Sequence, residues 1–192
     1  ALQVFGEGAI KLAFAECNYD FTFKSTIKLR KNLKNPNNLT FKEMVNGGKK
    51  GVFTVIIDQK IKNHTPYQGI IPLEGENLSE IITNYLKNSE QIDSELILTS
   101  SYKTASGMLI QKMPTKKDEE DLEWSKLKKI IRKIPLNFLN QENVYTTASH
   151  FFENLENKIL KTKTPTFFCH CNIERTTKML KMLGENEIKR LI

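Results

Sequence analysis

A chain of 192 residues with 39% apolar composition is long enough to bury a core, which excludes intrinsic disorder, and no apolar run approaches the roughly 20 residues that span a bilayer. The opening "ALQVFGEGAIKLAF" has neither the basic flank nor the long apolar stretch of a secretory signal, so a cytoplasmic protein without a membrane partner is expected. The formal charge of +7 is dispersed, with lysines beside Asn or Glu as in "LRKNLKNPNN" and no aromatic interleaving, which predicts a solvated surface and no nucleic-acid partner.

In chain order, "LQVF", the turn Gly6-Glu7-Gly8 and "IKLAFAEC" predict a β-hairpin, and "FTFKSTIKL" continues the alternation of apolar and polar positions. "GVFTVIID" and "YQGIIPL" form a second predicted strand pair. "NLSEIITNYLKNS" places Leu78, Ile81, Ile82 and Tyr85 on one face of a helix that Asn77 or Ser79 caps. "ELILTS" and "ASGMLIQKMP" close a third pair at Pro114. Residues 1–114 therefore predict an α+β domain of antiparallel sheet with packed helices. Neither "GEG" nor "NGGKKG" has the strand and helix context of a phosphate loop, so both predict turns.

After Pro114 the composition turns strongly charged. In "TKKDEEDLEWSKLKKIIRKIP" the residues Leu122, Leu127, Ile130, Ile131 and Ile134 form an apolar helical stripe, and Phe151, Phe152, Leu155 and Ile159 are the core candidates of a following segment. A helical linker is expected over 115–164, with a small terminal unit over 165–192.

That unit carries the chemistry. Of three cysteines, Cys169 and Cys171 stand one residue apart; an odd count in a chain of this size argues against a disulfide framework and for thiols in a reducing compartment. In extended backbone the two side chains point to one face and can share a soft metal ion. Zinc takes four ligands in a tetrahedron, so the pair supplies half a site and the other two ligands are expected beyond Ile192. His170, wedged between them, is expected to point away, and Cys17 is read as a small buried hydrophobe. Asn172 can cap the helix "IERTTKMLKMLG"; a helix N-terminus with Arg175 nearby raises the thiolate fraction, the form that binds metal and meets oxidants.

The segments "LQVFGEGAIKLAFAECN", "YQGIIPLEGENLSEIITNYLKNSEQI", "SGMLIQKMP" and "FFCHCNIERTTKMLKMLGENEIKRLI" follow one another in an order that resembles the Hsp33 family of redox-regulated chaperones over nearly the whole chain. The resemblance implies a core domain, a redox-sensitive linker and the start of a zinc domain, truncated at both ends relative to the family. It implies that Cys169 and Cys171 join a downstream Cys-x-x-Cys around zinc in the reduced protein, and that they form a short, readily reduced disulfide when oxidants release the metal. Unfolding client proteins would then be held without ATP, with "FKEMV", "YQGIIPL" and the linker's apolar face as candidate surfaces. A homodimer, including one formed by strand exchange, is a further implied partner state. If the chain ends at Ile192, zinc is absent or weakly held, and the fragment is constitutively active or inert. The net positive charge departs from the more acidic chains of the family.

The competing reading is an enzyme, with Cys169 or Cys171 as nucleophile, His64 or His150 as base and Glu90 as orienter. Neither histidine stands in a catalytic motif, so a non-enzymatic binding protein is expected.

Overall fold

The computed structural model describes residues 1–30, 38–47, 50–59, 64–114, 119–140, 146, 150–153, 155, 158, 160–169 and 171–191. The expected hairpin is present: β1 (Leu2–Phe5) pairs antiparallel with β2 (Ile10–Cys17), and β2 with β3 (Thr22–Leu29). The second pair, β4 (Val52–Ile57) with β5 (Tyr67–Pro72), joins the same sheet because β1 also pairs with β4. With the short β8 (Thr166–Phe167), the strands run in the order β5-β4-β1-β2-β3-β8. Every junction is antiparallel except β3 with β8.

Register decides which face is covered. Val4 lies opposite Phe53 on one side and Ala13 on the other, so the alternation aligns these residues with Val55 and Ile71 on one face. Two helices cover it, α1 (Phe41–Val45) and α2 (Leu78–Asn88), and the core joins Val4, Val45, Phe53, Val55, Leu73, Ile81 and Tyr85. Each fully buried side chain such as Phe53 or Ile81 contributes about 1.5–3 kcal/mol by leaving water.

Local chemistry sets the helix ends. Of the two expected caps of α2, Asn77 serves: its Oδ1 accepts from the Glu80 N–H at 2.9 Å. Leu78 and Ile82 are half-buried beside Ile81 and Tyr85. Helix α1 starts with a capping box in which Thr40 Oγ1 accepts from Glu43 N–H and the Glu43 carboxylate accepts from Thr40 N–H at 2.8 Å. The "GEG" turn lies against the end of this helix, where Gly8 N–H donates to Val45 O at 3.3 Å. A Cβ on Gly6 would stand 1.7 Å from that oxygen, so glycine is required there by close backbone approach.

The third predicted pair, β6 (Ser94–Ser100) and β7 (Ala105–Gln111), makes a separate two-stranded sheet. Helices α3 (Glu119–Ile131) and α4 (Leu136–Leu139) lie on it. The predicted stripe on α3 is corrected at one position: Leu122 is 62% exposed, while Trp124, 7% exposed, is buried in its place with Ile131 and Ile134. Trp124, Leu127, Lys128 and Ile131 are spaced by three and four and share a face that Leu122 misses. Leu127 and Ile130 are half-buried, as are Phe151 and Phe152; Leu155 is exposed, and Ile159 lies outside the described residues.

Helices α5 (Ile173–Leu183) and α6 (Glu185–Leu191) follow, joined through Gly184 at φ 79°. Ile173, Met179 and Met182 of α5 are exposed. No described helix is long and apolar enough to cross a membrane. The architecture is the α+β, antiparallel-dominated arrangement read from the sequence.

Candidate functional site

The thiols are placed by a short strand. β8 adds in parallel to the outer edge of β3, with Thr166 N–H donating to Phe21 O at 3.0 Å and Phe168 N–H to Phe23 O at 2.9 Å. Phe167 meets Phe23 edge to face at 6.0 Å, and Lys163 lies over the Phe21 ring at 5.3 Å. Phe21 has a φ of 64°, unusual for a bulky residue and of order 1 kcal/mol or more in strain, in the turn whose carbonyl receives β8.

Just past β8, the sulfurs of Cys169 and Cys171 are hydrogen-bonded 2.8 Å apart and both residues are exposed. This is the shared face expected of the Cys-x-Cys spacing. The sulfur–sulfur hydrogen bond shared with Cys171, then the Cys171 backbone N–H and the field of Lys24, hold the Cys169 thiol below its ordinary range. The same shared proton, followed by the charge of Cys169, pushes Cys171 up. Of the two, Cys169 therefore carries the larger thiolate fraction. Asn172 caps α5 as expected, its Oδ1 accepting from Glu174 N–H at 2.7 Å. His170 and the side chain of Arg175 lie outside the described residues.

Two sulfurs on one tetrahedral zinc stand about 3.8 Å apart, from Zn–S distances of about 2.3 Å. The observed 2.8 Å pair reaches that by about one ångström of side-chain rotation in an open setting. Softness and exposure of the two sulfurs fit two of four ligands. Among the described residues no group of three His, Cys, Asp or Glu side chains assembles a fuller site.

Cys17 departs from expectation. It is exposed, at the end of β2 opposite Phe23, beyond the face that α1 and α2 cover. The residues of the enzyme reading are dispersed as well. Glu90 Oε1 accepts from the Tyr67 hydroxyl at 2.8 Å and from the Tyr85 hydroxyl, the two hydroxyls standing 3.1 Å apart. His150 stacks on Phe138 at 5.5 Å and meets Phe151 edge on, and His64 is exposed. Among the described hydrogen bonds, none joins Glu90, His64 or His150 to either sulfur.

Sequence reasoning missed a polar clasp between α3 and the start of β6. Trp124 Nε1–H donates to Asp93 Oδ2 at 2.6 Å, and Lys128 Nζ reaches the same oxygen at 3.2 Å while lying over the Trp124 ring. One turn on, Arg132 holds Glu95 through two nitrogens at 2.6 and 3.3 Å. The legible signal was the chain's single tryptophan, standing within a run of charge.

The model of the family described as Hsp33 protein matches residues 1–192. A 33 kDa chaperonin of Methylobacillus flagellatus is 32% identical over all of this chain and 63% of its own length. One from Chromobacterium violaceum is 31% identical over 97% of this chain and 62% of its own length. The crystal structure of the 33 kDa chaperonin (heat shock protein 33 homolog) of Thermotoga maritima superposes with a TM-score of 0.73 at 22% identity, over 98% of this chain and 66% of that one. The chain thus spans less than two thirds of the length of these relatives.

Proposed function

The chain belongs to the Hsp33 family, and from that premise we propose that it is the core, linker and part of the redox unit of an ATP-independent holdase that binds unfolding proteins in the cytoplasm under oxidative stress. Residues 1–114 form the core, 115–164 the redox-sensitive linker and 165–192 the beginning of the zinc unit. The observation that carries this reading is the pair of facing, exposed thiols joined directly to the core sheet through β8.

Cys169 and Cys171 would hold zinc together with two ligands from outside residues 1–192, and bound zinc would keep both sulfurs reduced and fixed. With peroxide, the Cys169 thiolate attacks one oxygen and becomes a sulfenic acid as hydroxide leaves. The Cys171 sulfur then displaces the sulfenic oxygen as water, forming one S–S bond while peroxide is reduced to two waters. Geometry change at residues 169–171 is transmitted to β8 and the segment before it. Helix α3 is suited to release, since charged pairs accompany its apolar contacts. Such a holdase performs no catalytic turnover and takes no nucleic-acid partner.

The test is light scattering of a thermally unfolding client in the presence of this chain, before and after peroxide, with zinc content and Trp124 fluorescence recorded. Suppression of aggregation after oxidation, with a red shift of Trp124, is expected; replacing both Cys169 and Cys171 by Ser removes the dependence on peroxide. Absence of suppression in both states overturns the holdase reading, and a peroxide response that survives the double substitution overturns the role of the two thiols.

A further inference from the structure

Among the described residues, strand β3 is an open edge for most of its length. Its inner side pairs with β2 from Phe23 to Leu29, whereas β8 covers its outer side only opposite Thr22 and Phe23. Because the carbonyls of Phe21 and Phe23 accept from β8, odd-numbered residues of β3 turn their backbone groups outward, and Ser25 and Ile27 do the same further along. Among the described residues, none bonds to those outward groups. The side chains on this stretch are also open, Ile27 being 63% and Leu29 58% exposed. No proline blocks the edge, and the register shift in its pairing falls only at Ile10/Leu12.

What suits this edge is set by what already lies on it and by charge. The chain's own β8 shows that an extended segment seats here through backbone bonds and an apolar side chain, Phe167 on Phe23. Lys24 and Lys28 alternate with Ile27 and Leu29, and a shallow cavity of about 460 Å³ at the end of the strand is lined by Lys11, Lys28, Leu29 and Arg30. A second copy would bring lysine against lysine, whereas a segment carrying acidic residues would be drawn in. Lys24 is already paired with Glu16 at 3.4 Å and Arg30 with Glu7 at 3.0 Å, so Lys28 and Lys11 supply most of that preference.

We propose that the outer edge of β3, from Lys24 to Leu29, takes an extended segment of an unfolding client as an added strand, one in which apolar residues alternate with acidic ones. This deepens the holdase reading and rests on it: the backbone supplies affinity without regard to sequence, as a general holdase needs, and the lysines bias the choice.

The experiment uses the oxidised, ¹⁵N-labelled chain with reduced, carboxymethylated α-lactalbumin, a permanently unfolded acidic protein. Binding is followed by fluorescence anisotropy and amide exchange by NMR. Exchange at Ser25 and Ile27 is expected to slow at least tenfold on binding, while Thr26 and Lys28, whose amides face β2, change little. Ile27→Pro removes one outward donor at a position where an edge strand tolerates proline, and is expected to weaken binding about five- to tenfold. Should that variant not fold, the exchange pattern of the unaltered chain still decides. Binding without protection of Ser25 and Ile27 overturns the edge assignment and leaves the holdase reading standing; absence of any binding overturns both.

Discussion

Helices α2 and α3 are each held on a sheet by buried apolar residues and a polar clasp, but the clasps differ in kind. On α2, Ile81 and Tyr85 sit in the main core, and the clasp is a pair of phenols donating to one carboxylate, Glu90. On α3, Trp124 and Ile131 are buried against the smaller sheet, and the clasp is two ion pairs, Lys128 with Asp93 and Arg132 with Glu95. Partly exposed ion pairs are worth about 0.2–1 kcal/mol each and are screened by salt. Burial therefore fixes α2, while α3 depends in larger part on charges that solvent conditions can reach.

The largest test of that contrast is in the main core. Ile81→Ala is expected to cost about 2–5 kcal/mol and to lower the urea midpoint of the whole sheet signal. Ile131→Ala, at an equally buried site, is expected to loosen α3 first, seen as a red shift of Trp124 at urea concentrations where the sheet signal persists. Coincident transitions in both variants would make the two regions one cooperative unit and end the contrast.

Gly69→Ala sharpens it from the other side. The added Cβ would stand 2.9 Å from Tyr85 Cε2, so the ring must move off Gly69 and the phenol clasp with it, at an expected cost of about 1–3 kcal/mol in denaturant titration. Asp93→Ala leaves Trp124 Nε1–H without its acceptor in a half-buried setting; about 1–2 kcal/mol is expected, read from Trp124 emission and the stability of α3 alone.

The two clasps also titrate differently. Burial pushes the Asp93 carboxyl up, but the bonds from Trp124 and Lys128 outweigh it and hold the group below its ordinary 3.8. A depressed carboxylate stabilises the fold above its unfolded pKa, so the α3 clasp is expected to fail as pH falls from about 4 downward. Acid also reaches α2, since bonds from Tyr85 and Tyr67 hold Glu90 below its usual range. Alkali singles out α2: burial first, then the bond to Glu90, raise the Tyr85 phenol above its ordinary 10.0. A raised phenol stabilises the fold below the unfolded value, and that contribution is lost as pH climbs past 10. Circular dichroism and Trp124 emission followed together across both ranges would expose any failure of this ordering. The smallest effect expected is from salt: raising ionic strength from 0.1 to 1 M should weaken α3 docking by under about 1 kcal/mol and leave α2 unchanged.

Much of the fold was legible because its signals are local. The hairpin strands announce themselves by alternation and by "GEG", α2 by its 3–4 spacing and Asn77, and the thiol pair by its spacing alone. Helix α1 carried a readable capping box in Thr40 and Glu43 that strand reasoning passed over. Leu122 was misplaced because a run with apolar residues at many positions admits more than one stripe, and only the neighbouring sheet selects the Trp124 face.

By itself the amino-acid order determined which segments alternate with period two, which recur with period 3.6, and that two soft thiols project together ahead of a capped helix, since each depends on neighbours within a few residues. Only the tertiary structure decided that β4 joins β1, that β8 seats on β3 and carries the thiols to Lys24, that Cys17 stays exposed, and that Asp93 receives Trp124. Those pairings link residues up to about 145 positions apart, as Thr166 with Phe21 shows. They are chosen by which buried faces and unpaired backbone groups remain once the local elements have formed, and no short window of sequence contains that information.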